Sequence, residues 1–473
     1  MHKEIEMGPL RRWLSLVLAG VLVLPACDGI LDIDQTGIIV FDDVETAGPA
    51  AVPVLVNGMV GNYQEAVDDI IRYSALLTDE MIVSGTFETR LQVDRRRIQV
   101  NNATLTGAMY TPLHQARMQA DTTVNLLQNR LQDPVFEEVL DQLNEGIALG
   151  KLYGGFSRIW MAELYCWSIL TGMFPESSPL IPDNRMLQAL IFLQEAETLA
   201  AIAGLEEIRL AAIAGQARAH LWLRNFPQAA TLAAEVPRDF VHWAEFSQND
   251  PVQYNEMYMF TWGDIQNIRW TVGDGTTQTR GNERWEHFDE FLSLNLLEFE
   301  PEGFTAFTSS IPVSLQGLYN RADSRVLSAS GAEAMLIRAE VAVRSGQTAT
   351  AEQLLNDLRS DYSLRATIQW GVDPPDSGNE LVDLTLAGTL AQDLRTVAAE
   401  RARELWLTGD RLTTSRRLRL DPTVNIDLFP PVKTRISGGD DIAFPIVQLE
   451  LDNNPNLTSG DACPAGQTIG SWR

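Results

Sequence analysis

The chain has 473 residues, 45% of them hydrophobic, and a formal charge of −27. That is enough chain for a sizeable core, as one large body or two domains, and too much negative charge for a surface that meets nucleic-acid phosphates or anionic headgroups. With only three cysteines there is no disulfide framework, so packing has to hold the core together.

The first predicted element is an export leader. Arg11 and Arg12 precede an apolar block from Trp13 to Leu24, and Leu24-Pro25-Ala26-Cys27 closes it. The block falls short of the about 20 apolar residues of a membrane span. The small Ala26 suits a signal peptidase. Cleavage before a cysteine is the bacterial lipoprotein pattern, which makes Cys27 the lipidation site, residues 1–26 the signal peptide and 27–473 the mature body. Two glutamates lie between Met1 and Met7, so Met7 is an alternative start. Each buried CH₂ of an acyl chain adds about 0.8 kcal/mol, and several chains make a durable anchor.

Helical periodicity dominates the body. It runs through Val67 to Leu77, Gly107 to Leu131, Val135 to Leu149, Phe156 to Leu170, Met186 to Ala203, Ile208 to Leu223, Ala332 to Val343, Ala349 to Leu358 and Leu390 to Leu407. In the second of these, Leu113, Ala116, Ala120, Val124 and Leu127 form an amphipathic stripe. The stretches Val236 to Asn320 and Thr367 to Asn379 lack a helical period and read as long loops with short strands. Arg95-Arg96-Arg97 reads as a solvated face partnered by Asp94 and neighbouring acids.

Two helix pairs share a spacing. Ala217, Arg224 and Ala229 repeat the intervals of Ala339, Gly346 and Ala351, with short turns at Arg224-Asn225-Phe226 and Ser345-Gly346-Gln347. This resembles the tetratricopeptide helix-turn-helix unit. A looser third unit would join the Phe156 and Met186 helices through Gly172 to Asp183. Long insertions separate the units and exclude a regular solenoid. Cys166, among Tyr165, Trp167 and Ile169, reads as a small buried hydrophobe, with a bridge to Cys463 as the alternative.

The patterns of catalysis are absent: no HExxH, paired CxxC, EF-hand loop, GxSxG elbow, Walker loop or dinucleotide fingerprint occurs. Glu283, Glu286, His287 and Asp289 form an acidic cluster, expected by chance in so acidic a chain. No cofactor is predicted, and a bound cation is left open. The aromatics Trp243, Tyr254, Tyr258, Trp262, Trp270 and Trp285 lie in a loop-rich stretch. Flat apolar rings with a polar edge suit a sugar or another flat ligand, or they pin loops to the body. Tyr258, Trp262, Trp270 and Trp285 are the candidate ligand-binding residues.

Four blocks then resemble the SusD/RagB family of nutrient-binding lipoproteins. They are Cys27-Asp28 with Leu31-Asp32; Ala332 to Glu340 with Gly346 and Ala351 to Arg359, ending in Asn-x-x-Arg; Glu400 to Leu405 with Gly409-Asp410-Arg411 and Arg416-Arg417; and Phe444-Pro445-Ile446 with Gln448, Glu450 and Asn454 to Leu457. The resemblance implies a mostly α fold, a single body of dispersed tetratricopeptide-like pairs with long insertions. It also implies a lipid anchor at the outer face of an outer membrane, a SusC-like TonB-dependent barrel as partner, and glycan or peptide cargo passed on unaltered. Leu412-Thr413-Thr414 and Tyr110 depart from the family pattern, and no sugar-binding aromatic transfers by motif. The charges of Glu400, Arg401, Arg403 and Glu404, three residues apart, predict a largely self-paired surface scaffold. Asn356 and Arg359 share a face near a helix end, where the dipole favours arginine. The other classes the sequence allows are a surface lipoprotein glycan hydrolase and a helical scaffold for envelope proteins.

Overall fold

Apolar residues three and four apart become the buried stripes of long helices in the computed structural model of the chain, which describes residues 48–166, 182–273, 285–294, 296–307, 312–362, 381–430 and 439–457. The leader, Cys27, Glu283, Cys463 and the 367–379 loop lie outside the described residues. Residues 52–473 form one compact unit; of residues 1–51, a short 3₁₀ turn at Pro49–Ala51 is described. The chain runs through α1 (Val52–Leu77), β1 (Met81–Val83) and α2 (Glu88–Asp94), then a π-helical turn (Leu105–Tyr110) into α3 (Thr111–Gln128). There follow α4 (Leu140–Leu164), α5 (Pro182–Ala203), α6 (Glu206–Trp222) and α7 (Phe226–Ala233).

The two periodic segments at 135–149 and 156–170 are largely one helix. Their 140–164 portion forms α4, which runs straight through Gly146, Gly150, Gly154 and Gly155. Those glycines serve packing rather than turning: a Cβ on Gly150 would lie 2.5 Å from Val124 Cγ2, and one on Gly155 2.7 Å from Leu193. Their absent side chains let α3 and α5 close onto α4. Among the described helices, α5 alone is long and apolar enough to cross a membrane; it packs between α4 and α6, with 33% of its most apolar stretch buried.

The irregular middle supplies short strands and two single-turn helices: β2 (Val241–Ala244), α8 (Glu256–Thr261), β3 (Trp270–Val272), α9 (Phe288–Ser293), β4 (Leu297–Phe299), β5 (Ser314–Gln316) and β6 (Val326–Ser330). They form three antiparallel pairs, β1 with β3, β2 with β6 and β4 with β5. The chain then continues through α10 (Gly331–Arg344), α11 (Thr348–Ser360), α12 (Leu390–Glu404), α13 (Asp410–Leu420) and α14 (Gln448–Asn453). The fold is mostly α, as the sequence implies.

The shared spacing of the two helix pairs has a structural counterpart. Ala217, Ala229, Ala339 and Ala351 are all fully buried where α6 meets α7 and α10 meets α11. Arg224 and Gly346 occupy the same place in the two turns, in left-handed conformation with φ of 60° and 71°. Both helices end in the same double closure: Asn225 N–H donates to His220 O and Arg224 N–H to Leu221 O, matched by Gln347 to Ala342 and Gly346 to Val343. The β2–β6 pair ties the two units together, and α10 packs on both α6 and α7.

Candidate functional site

The arginine block from Glu400 to Arg417 is neither a surface nor a site. Arg401, Arg403, Glu404, Arg411 and Arg416 are all at most 5% exposed, against the expectation of a self-paired surface. Arg403 does pair with Glu400 three residues back, but most partners come from far along the chain. Arg411 forks onto Asp79 at 2.9 and 2.8 Å, and Arg417 onto Glu340 at 2.5 and 2.6 Å. Arg416 donates to the Ala162, Glu163 and Tyr165 carbonyls at 3.1, 2.5 and 2.8 Å, closing the open end of α4. Arg96, expected on a solvated face, is likewise buried, with its guanidinium donating to Asp441 O and Pro430 O. Asn356 and Arg359 hold the returning chain: Asn356 exchanges hydrogen bonds with Leu384, and Arg359 reaches Val382 O and Glu400.

The acidic cluster is also structural where it is described. Glu286 pairs with Arg411 at 2.8 Å, and His287 contacts Ala399 O at 2.8 Å. Among the described residues no group of three His, Cys, Asp or Glu is placed to hold a metal ion. Cys166 is buried and disulfide-bonded.

Two of the four candidate aromatics are core rings. Trp270 is wholly buried, edge-on to Tyr73 and against Phe260, and Trp285 is 1% exposed and stacked on Trp406. Neither has a face to offer a ligand: Trp270, on β3, is covered by Tyr73 and Phe260, and Trp285, just before α9, by Trp406 and Phe291. Trp262 is half-buried, its Nε1 donating to Gln316 O at 2.6 Å and its ring edge-on to Phe304, which pins a loop. Tyr258 is half-buried on α8.

Among the described residues a cleft lies elsewhere, between the outer face of α1 and the segment from Glu245 to Glu256. It is a cleft of about 800 Å³. From α1 come Asn57, Asn62, Gln64, Glu65, Asp68, Asp69 and Arg72, and from the loop Glu245, Phe246, Ser247, Gln253, Tyr254 and Glu256. Amides, carboxylates and two half-buried rings are the groups that grip polyhydroxylated ligands. Tyr254 stood among the loop aromatics in the sequence; Phe246 and the α1 side chains did not stand out, because alternating polar residues on a helix look like any solvated face.

The loop is held rather than loose. Asp250 accepts the Val252 N–H at 3.1 Å, Ser247 N–H donates to Gln253 O at 3.0 Å, and Asn255 accepts from Tyr258 N–H while its amide reaches Ser324 O. Asp68 binds the loop to α1 directly, its Oδ2 accepting the Glu256 N–H at 2.7 Å. Arg72 ties the same junction through ion pairs to Asp69 and Glu256, its guanidinium 4.8 Å from the Phe260 ring. Burial pushes Asp68 up to about 7, opposed by Arg72 and reinforced by Glu256. Asp69 is pushed well up by the same burial. Burial alone would lower Arg72, but Asp69 and Glu256 hold it firmly protonated.

No family model matches the chain, and no curated protein matches it either. Solved structures do. A SusD superfamily protein from Bacteroides vulgatus superposes with a TM-score of 0.60 at 15% identity, covering 87% of this chain and 98% of that one. A SusD-like carbohydrate binding protein from the same species gives 0.59 at 13%, covering 88% and 98%. A SusD/RagB family protein from Bacteroides thetaiotaomicron gives 0.63 at 11%, covering 86% and 94%. The chain therefore has the SusD-like fold, over nearly the whole length of these proteins.

Proposed function

We propose that this chain is a lipid-anchored protein of the bacterial outer membrane that binds oligosaccharides in the α1 cleft without cleaving them and passes them to a SusC-like TonB-dependent barrel. The observation that carries the reading is the cleft itself: a built depression with two half-exposed rings, several amides and several carboxylates, on a fold shared with proteins named for carbohydrate binding. The contacts of the described acidic cluster support a structural role, since Glu286 and His287 are engaged by Arg411 and Ala399. The leader and Cys27 support attachment by lipid, and the acidic body supports a soluble domain held off the headgroups.

The test takes the chain with Cys27→Ser, screens it against an oligosaccharide panel and follows hits by calorimetry and chromatography. One or more oligosaccharides should bind and be recovered unshortened. Tyr254→Ala should weaken binding roughly tenfold, the scale of one stacked ring. Release of shorter products, or affinity untouched by a Tyr254→Ala, Phe246→Ala pair, overturns the reading. Copurification of a barrel with the lipidated wild-type protein from detergent extracts tests the hand-over; its absence from such extracts removes that part.

A further inference from the structure

We infer that the chain carries a second ligand site, formed by Phe87, Arg90, Phe260 and Arg269, which takes an anionic saccharide bearing a carboxylate or a sulfate. The choice of a saccharide rests on the proposed function; the choice of an anion rests on this site alone. Two guanidiniums here attend the same two rings. The Arg90 Cζ lies 4.7 Å from the Phe87 ring centre and 4.5 Å from that of Phe260, and the Arg269 Cζ lies 5.9 Å from each. Phe87 is 50% exposed, while Arg90, Phe260 and Arg269 are half-buried. The group therefore combines an open aromatic face with two cations beside it, outside the α1 cleft.

The backbone fixes all four positions. Ser84 N–H donates to Arg269 O at 2.8 Å, extending the β1–β3 pair, and Arg269 N–H donates to Phe260 O at 3.2 Å. Side chains alternate along a strand, so the burial of Trp270 turns its neighbour Arg269 to the outer face. Phe87 O accepts the Arg90 and Leu91 N–H groups at 3.1 and 3.0 Å, which sets the ring at the start of α2. Rings and cations held by backbone hydrogen bonds need little ordering when a ligand arrives.

The charge balance of the group is the reverse of the chain's. With 63 acidic residues against 36 basic ones, an arginine here seldom lacks a carboxylate. Arg72, the third guanidinium at Phe260, pairs with Asp69 and Glu256, and Glu88, next to Phe87, pairs with Arg95 at 3.3 Å. Among the described residues Arg90 and Arg269 form no ion pair; their neighbours are the two rings and each other. Two like charges gathered at one place and left without a carboxylate are relieved by an anion from outside. Arginine's planar fork matches a carboxylate or sulfate, and the pyranose that carries the anion has Phe87 to stack on.

The probes are a galacturonic acid tetramer and its methyl ester, and a sulfated galactose tetramer and its desulfated form, titrated by calorimetry into the Cys27→Ser chain. At least one charged member should bind roughly tenfold tighter than its neutral twin, the scale of one charge-assisted hydrogen bond, and the pair that shows it tells carboxylate from sulfate. Arg269→Gln should remove most of that preference. Arg90→Gln should do the same, and since Arg90 packs between two rings, Arg269→Gln covers the case of an Arg90 variant that does not fold. Phe87→Ala should weaken the charged tetramer roughly tenfold through the lost stacking face. Equal affinity within both pairs, a preference that survives both arginine variants, or binding of no charged tetramer overturns the anion site. The neutral oligosaccharide panel then still decides the α1 cleft by itself.

Discussion

Replacing Glu80 with glutamine should stabilise the protein at neutral pH and leave it unchanged in mild acid. Glu80, between α1 and β1, has no exposed surface; its Oε1 accepts the Leu407 N–H at 2.8 Å and its Oε2 the Thr78 hydroxyl at 3.2 Å. Burial pushes this carboxyl from 4.5 up to about 8, aided by Asp79 and opposed by the Leu407 hydrogen bond and Arg411. The unfolded chain would ionise it near 4.5, so folding at pH 7 takes up a proton. The stability this group allows is therefore complete below about pH 4.5 and is lost as pH rises through 8. The loss is on the order of 3 kcal/mol at pH 7 and 5 kcal/mol at pH 9. Glutamine keeps a carbonyl for Leu407 and offers an amide donor to the Thr78 oxygen, whose own proton has Ser74 O at 3.2 Å. Urea midpoints of wild type and Glu80→Gln at pH 4.5 and 8 measure the effect: near coincidence in acid and a higher midpoint for the variant at pH 8. Equal destabilisation at both pH values would mean that Glu80 is folded in as a carboxylate, and would refute the reasoning.

Arg416→Ala should cost about 3 kcal/mol or more, because three carbonyls at the end of α4 lose their donor, and Arg416→Lys should recover only part of it; thermal melts followed by circular dichroism report both. In the same assay Gly150→Ala should lose about 1–3 kcal/mol from the overlap with Val124, whereas Gly58→Ala, with nothing within 4 Å of its new Cβ, should gain about 0.5–1 kcal/mol. Arg224→Gly should stabilise by about 1 kcal/mol, since it relieves a left-handed non-glycine residue, and Gly346→Ala at the equivalent turn should cost a similar amount; unchanged melting of both would break the equivalence of the two units.

The helices were legible because their apolar period is set by the same geometry that packs them, and the turn equivalence of Arg224 and Gly346 followed from spacing. The two segments now joined in α4 looked separate because the glycines between them carry no apolar mark, although they are where neighbouring helices press closest. The arginine block misled for a related reason. Charges three residues apart do meet within α12, as Arg403 with Glu400, but the segment is buried rather than on the surface, and the arginines beyond it on α13 take their partners from Asp79 and Glu340, which no local window contains. In the cleft, composition could single out a stretch rich in rings but not sort them. Trp270 and Trp285 differ from Tyr254 only in what packs over them, and that is decided by α1 and Trp406 from outside the stretch.

The dependence of α13 on distant partners sets an order of events. A ribosome delivers Asp79 and the α4 terminus 332 and 254 residues before the arginines that neutralise or close them. Until then those groups stay hydrated and the early helices cannot shut around them, so compaction of the first half has to wait for nearly the last helix to emerge. A protein built this way completes the packing of its first half only once its second half has been made.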